Sequence, residues 1–189
     1  MVKRAAGGRL SREDWVQAAI VAVADAGVDG IAVEPLAARM GTTKGSFYWH
    51  FADRAELVAA VLDEWERLAT QAIIDELAQV DDPRERLARL LAVVFRDDME
   101  NRFELAAHAA SAHPQFGPVL ARVTAARLAF LARIFDDLGL TPARARDRAR
   151  ITYAAYLGHL QLAVLDPTGP SPRSVRRYAD ELLAVLVPA

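Results

Sequence analysis

Apolar residues recur three and four positions apart along nearly the whole chain, and polar capping residues punctuate them at regular intervals. Trp15, Ala18, Ala19, Ala22, Val23 and Ala26 form one such stripe. It opens at Ser11-Arg-Glu-Asp14, a capping-box pattern, and Gly27 stops it, so a helix is predicted over 12–26. Val33 to Met40 reads as a second, short helix that tolerates Pro35 because the ring lies in the first turn. Phe47 and Phe51, four apart, give a third over 44–50, and Asp53 with Glu56 caps a long fourth over 54–79. Asp82-Pro83, Asn101 with Glu104, Thr141-Pro142 and Ser171-Pro172 each place a capping oxygen ahead of a further helix. His113-Pro114 and Gly139 mark stops. The remaining helices fall at 83–99, 102–112, 117–138, 142–165 and 172–187. No strand alternation or internal repeat competes, so the predicted fold is all-α with about nine helices. The short Pro/Gly loop from Asp166 to Pro172 turns the last two antiparallel.

Within this pattern, Leu36 to Phe51 carries the most chemistry. Ala37 followed by Gly41 has helix-turn-helix spacing: the small residue permits close approach and the glycine takes the left-handed turn. Thr43 is placed to cap the next helix, leaving Lys44 and Gly45 in its first turn with unbonded N–H groups suited to a phosphate. Phe47 and Phe51 face inward. Gly45, Ser46 and Trp49 fall on the opposite side, with Lys44, Tyr48 and His50 on the flanks. A glycine inside a helix costs roughly 1 kcal/mol against alanine, which points to close approach by another molecule. Lys44 can reach a guanine edge or a phosphate, and Tyr48 and His50 can donate to phosphates. The plain alternative is a helical hairpin whose Tyr-Trp-His run is ordinary packing.

Composition sets the outer bounds. The 189 residues are 53% hydrophobic, enough for one large or two small cores. The formal net charge is -2, so any attraction to nucleic acid must be local. Lys3, Arg4, Arg9 and Arg12 supply such a local excess, unless the first of them are only a solubilising tail. Cysteine is absent, so no thiolate chemistry or cysteine metal site is available. Apolar runs are broken well short of the roughly 20 residues a membrane span needs, and no targeting segment is read, so a cytoplasmic location is expected.

Read together, residues 11–57 resemble the TetR family of transcriptional regulators. The resemblance rests on Val33, Leu36-Ala37, the run Gly41-Thr42-Thr43-Lys44-Gly45-Ser46-Phe47-Tyr48-Trp49-His50-Phe51, and Asp53-Arg54-Ala55-Glu56-Leu57. It covers about a quarter of the chain. It implies a DNA-binding head over 1–55 and an effector-binding, dimerising body over 56–189. It also implies DNA contacts from Thr43, Lys44, Gly45, Tyr48, Trp49 and His50, with Arg54 where the family usually carries a phosphate-facing lysine. Ser46 shares their exposed side. The chain departs from the family's usual pattern at two positions. Ala32 stands where a capping hydroxyl is usual, and Thr42 replaces an aliphatic residue, making it a candidate polar contact.

The resemblance implies a homodimer on a palindromic, double-stranded operator. Independently, Ile151, Ala155, Gly158, Leu162 and Leu165 form a seam, and Val175, Tyr178, Leu182 and Leu186 a matching stripe. Two such pairs would make a four-helix interface, unless the stripes are buried within one chain. A small-molecule effector is implied as well, for which Trp65, Phe95, Met99, Phe103, His108, Phe116, Tyr153, Tyr156 and His159 are candidate lining residues. Plain core packing accounts for the same aromatics equally simply. Arg96 and Arg102 are the basic residues available to an anionic effector. The expected protein is a ligand-responsive repressor with no cofactor, metal or catalytic residue. The competing class is a metal- or haem-binding bundle or an enzyme. His108 and His113 are five apart, off the spacing that puts two ligands on one helix face.

Overall fold

The computed structural model describes residues 10–95, 99–166 and 172–187; Lys3, Arg4, Arg9 and Arg96 lie outside them, as does the side chain of Val175. Helix α1 (Arg12–Ala26) opens on the expected reciprocal cap: the Asp14 N–H donates to Ser11 Oγ, and the Ser11 N–H to Asp14 Oδ2 at 2.7 Å. A 3₁₀ turn (Val28–Gly30) leads to α2 (Val33–Arg39), whose N-cap Ala32 offers no side-chain bond. Gly41 turns the chain at φ +66 into α3 (Lys44–Phe47). That helix is shorter than the predicted 44–50. It closes with the His50 and Phe51 N–H groups both donating to the Phe47 carbonyl.

The predicted single helix over 54–79 is instead a connecting rod of three parts. These are α4 (Arg54–Glu66), a π turn (Arg67–Gln71) and α5 (Ala72–Leu77). Helix α6 (Pro83–Val94) stops earlier than predicted, and α7 (Met99–Ala109) begins earlier. Asn101 therefore lies inside α7, and its Nδ2 donates to the Val94 carbonyl; it is not the cap its spacing suggested. Helices α8 (Phe116–Asp137), α9 (Pro142–Leu165) and α10 (Pro172–Leu186) complete an all-α fold, with no strand among the described residues. Arg148 bonds the Val185 carbonyl and His159 stacks on Tyr178, so α9 and α10 run antiparallel.

Two apolar cores divide the molecule. The first joins Trp15, Phe47, Phe51 and Leu57 of the helix-turn-helix region to Trp65, Phe103 and Phe116, so α7 and the start of α8 close the head from behind. Trp15 meets Phe47 edge-on at 5.4 Å, and Phe47 stacks on Phe51 at the same separation. Fully burying one such ring contributes about 1.5–3 kcal/mol. The second core gathers α5, α6, the later part of α8, α9 and α10 around Leu87, Phe95, Ile134 and Phe135.

Two glycines hold the head in shape for different reasons. At Gly41 a Cβ would meet open space, so alanine pays only the left-handed backbone penalty, about 1–2 kcal/mol. At Gly30 a Cβ would sit 2.4 Å from the Ala22 carbonyl oxygen, so alanine must move backbone. Urea titrations should therefore show Gly30→Ala costing more stability than Gly41→Ala.

Candidate nucleic-acid interface and ligand cavity

The outer face of the helix-turn-helix is built by local bonds. The Thr43 hydroxyl accepts the Ser46 N–H, fixing the start of α3, while Thr42 and Ser46 are half-buried. Tyr48 and Trp49 stand out from the turn after α3, Trp49 at 75% exposure. Gly45 is exposed as well, and a Cβ there would meet nothing closer than Thr43 Oγ1 at 3.6 Å. Neither backbone angle nor packing within the chain requires a glycine at that position. His50 is half-buried, with Nε2 enclosed and without a partner.

Two cations of the resemblance are already engaged. Lys44 Nζ donates to Glu34 Oε1 of α2 at 2.9 Å, with both side chains in solvent. The Glu34 hydrogen bond raises the Lys44 pKa, and the Lys44 bond lowers that of Glu34. Arg54, expected at a phosphate, instead donates from Nε to the Ile31 carbonyl and from Nη2 to the Val28 carbonyl. It clamps the start of α4 onto the 3₁₀ turn, because those carbonyls close the helix-poor corner of the head. Arg12, whose guanidinium lies 4.6 Å over the Phe51 ring, pairs with Glu56 at 3.5 Å.

A cavity of about 310 Å³ opens in the body between the connecting rod, α6, α7, α8 and α9. Its walls are mainly aliphatic, from Leu68, Ile73 and Ile74 of the rod, Leu90 and Val94 of α6, and Leu131 of α8. Of the nine candidate lining residues, Tyr153 and Tyr156 reach it. Trp65, Phe103 and Phe116 are spent in the head core, and Met99 packs against it. His159 stacks on Tyr178 instead, and Phe95 meets both rings edge-on. His108 stands behind the wall, its Nε2 3.1 Å from Glu104 Oε1.

The polar end of the cavity is a buried ion pair that periodicity did not single out. Arg127 Nη1 donates to Glu104 Oε1 at 2.7 Å, with 14% and 2% of the two side chains exposed. Arg127 also donates from Nε to Thr70 Oγ1 and from Nη2 to the Ala69 carbonyl, both within the π turn. Burial alone would push the Glu104 carboxyl up, but the His108 hydrogen bond and the Arg127 charge hold it below the ordinary carboxylate value. Burial likewise opposes the Arg127 charge, and Glu104 outweighs it and raises the pKa. Burial, then the nearby Glu104 charge, pushes the Tyr153 phenol up. A signal existed in the sequence: Arg127 interrupts an otherwise apolar stripe of Val123, Phe130, Leu131 and Ile134.

On the outside of the body, Ile151, Gly158, Leu162 and Leu165 of the expected seam are exposed and Ala155 is half-buried. Tyr178 is 39% exposed. Leu186 departs from the expected stripe: it is 1% exposed, packed in the second core, and Leu182 leans on the same core. The 3.6-residue period sets both beside Ala179, which faces inward, while Val185 faces out.

Residues 16–61 match the sequence profile of bacterial regulatory proteins of the tetR family. The fold agrees over almost the whole length. A transcriptional regulator from Rhodococcus sp. Rha1 superposes with a TM-score of 0.77 at 21% identity, covering 94% of this chain and 96% of that one. A member of the TetR family from Streptomyces coelicolor A3 gives 0.69 at 24% identity, covering 95% and 100%. The multidrug binding protein EbrR complexed with malachite green gives 0.68 at 25%, covering 94% and 98%. A search of curated sequences finds no match. The head thus matches the TetR family's profile over residues 16–61, and the whole chain shares the fold of these solved regulators. No described helix is long and apolar enough to cross a membrane.

Replacing Glu104 with Gln strands the Arg127 guanidinium and should cost about 3–5 kcal/mol at neutral pH. The folded pKa of Glu104 is depressed, so its contribution is present above the unfolded value of about 4.3 and is lost as pH falls through the folded value. Urea midpoints of wild type and Glu104→Gln should accordingly converge in acid.

Proposed function

We propose that the chain is a ligand-responsive repressor that binds a palindromic operator as a homodimer, and that it is not an enzyme. In this reading residues 1–55 bind DNA, and 56–189 bind the effector and dimerise. The observation that carries it is shared structure: the rod that leads from the head also walls the cavity, through Leu68 to Ile74. Lys44, Gly45, Tyr48 and Trp49 form the exposed strip that meets the duplex, with Thr42, Thr43, Ser46 and His50 at its margin. Tyr48 serves phosphates, and Lys44 exchanges Glu34 for a guanine edge or a phosphate. Gly45 lets the DNA backbone or bases come close. The α9 seam, with Tyr178 and Val185, meets its copy across a two-fold axis. That axis sets two recognition elements about one DNA turn, roughly 34–36 Å, apart.

Release follows from the π turn. Such a turn holds one residue more than the α-helix around it, so its geometry sets the rotation and length of the rod. Arg127 binds that turn at Thr70 and Ala69. An effector that favours a different arrangement there alters the spacing of the heads, by its differential affinity for the two states.

On DNA from the gene's own upstream region, Lys44→Ala should weaken the gel-shift affinity about tenfold or more, and Glu34→Gln should strengthen it by removing the competing acid. Unchanged affinity for both variants would remove this strip from the interface. Gly45→Ala should leave the melting temperature equal or higher and still lose DNA binding. Leu162→Glu should convert a dimer to a monomer in sedimentation experiments.

A further inference from the structure

The cavity's charges are already spent on one another. Within the lining, the ionic side chains are Glu104 and Arg127, 2.7 Å apart, and Glu104 has His108 behind the wall as a second partner. A ligand carboxylate would face Glu104 as well as Arg127, and a ligand ammonium the reverse. Either would be buried without a counter-ion, which is strongly unfavourable. The remaining polar atoms suit hydrogen bonds. The Tyr156 hydroxyl donates to Asn101 Oδ1 at 3.3 Å, and the Tyr153 hydroxyl lies 3.3 Å from Thr124 Oγ1, so the groups beside the ion pair are neutral phenols, a hydroxyl and an amide. The rest of the wall is mainly aliphatic, with Phe130, Thr70 and Thr152 among it. We infer that the effector is an uncharged, mainly aliphatic molecule with a hydroxyl at one end, selected by the closed Glu104–Arg127 pair. This rests on the cavity being the effector site in the proposed function.

Isothermal titration of the full chain with three probes of equal chain length tests the inference: 1-octanol, octanoate and octyltrimethylammonium. 1-Octanol should bind, and each charged probe should bind at least about tenfold more weakly. Equal or tighter binding of either charged probe overturns the inference, as does failure of 1-octanol to bind up to its solubility limit. Glu104→Gln should then shift preference toward octanoate by about tenfold or more, since Arg127 loses its partner. An unchanged preference in a variant with wild-type circular dichroism refutes the role of the pair. If that variant does not fold, the wild-type comparison still decides. The titrations contain no DNA, so their failure and a failure of operator binding are separate results.

Discussion

The structure turns on one buried guanidinium. Arg127 sits in the apolar stripe of α8 and is tolerated there because every side of it is answered: a carboxylate from α7, and a hydroxyl and a carbonyl from the π turn. A charge so far from water is strongly unfavourable unless paired and bonded, so these groups hold one another in a fixed arrangement. The result is a tie between the cavity, the bundle and the rod that leads to the head. Arg122 adds a solvent-facing tie between α8 and Glu66, one helical turn further up the rod.

The head depends on a different constraint, close approach. Phe47 can meet Trp15 edge-on and stack on Phe51 because Gly41 turns the chain tightly and Gly30 lets the 3₁₀ turn lie against α1. Arg54 then fastens α4 to that corner through two backbone carbonyls. Tyr48, Trp49 and Gly45 are the residues this arrangement leaves exposed. Charge on this face is balanced in the absence of DNA, since Lys44 already holds an acid. Recognition in this reading is an exchange of one oxygen partner for another.

Much of this was legible in the residues. Ser11, Thr43, Asp53 and Asp82 cap the helices their spacing predicted, because a cap needs only atoms within three or four residues of itself. The inward face of Phe47 and Phe51 followed from period alone. The cavity was not legible. The aromatic residues proposed for it mostly fill the two cores, while aliphatic residues of the rod and α6 line it, since both kinds look alike on an apolar stripe. Leu186 was assigned outward and lies inward for the same reason: a stripe does not say which neighbour it meets.

The sequence by itself determined the all-α class, most helix starts, the helix-turn-helix and its exposed strip, because each is specified by residues within a turn or two of one another. Tertiary structure alone decided the partner of Arg127, twenty-three residues from Glu104, and the capture of Arg54 by carbonyls more than twenty residues away. It also decided the π turn within a helix whose periodicity reads as unbroken. Each of these comes from groups brought together by packing, where the cost of burying a polar atom selects its partner irrespective of distance along the chain.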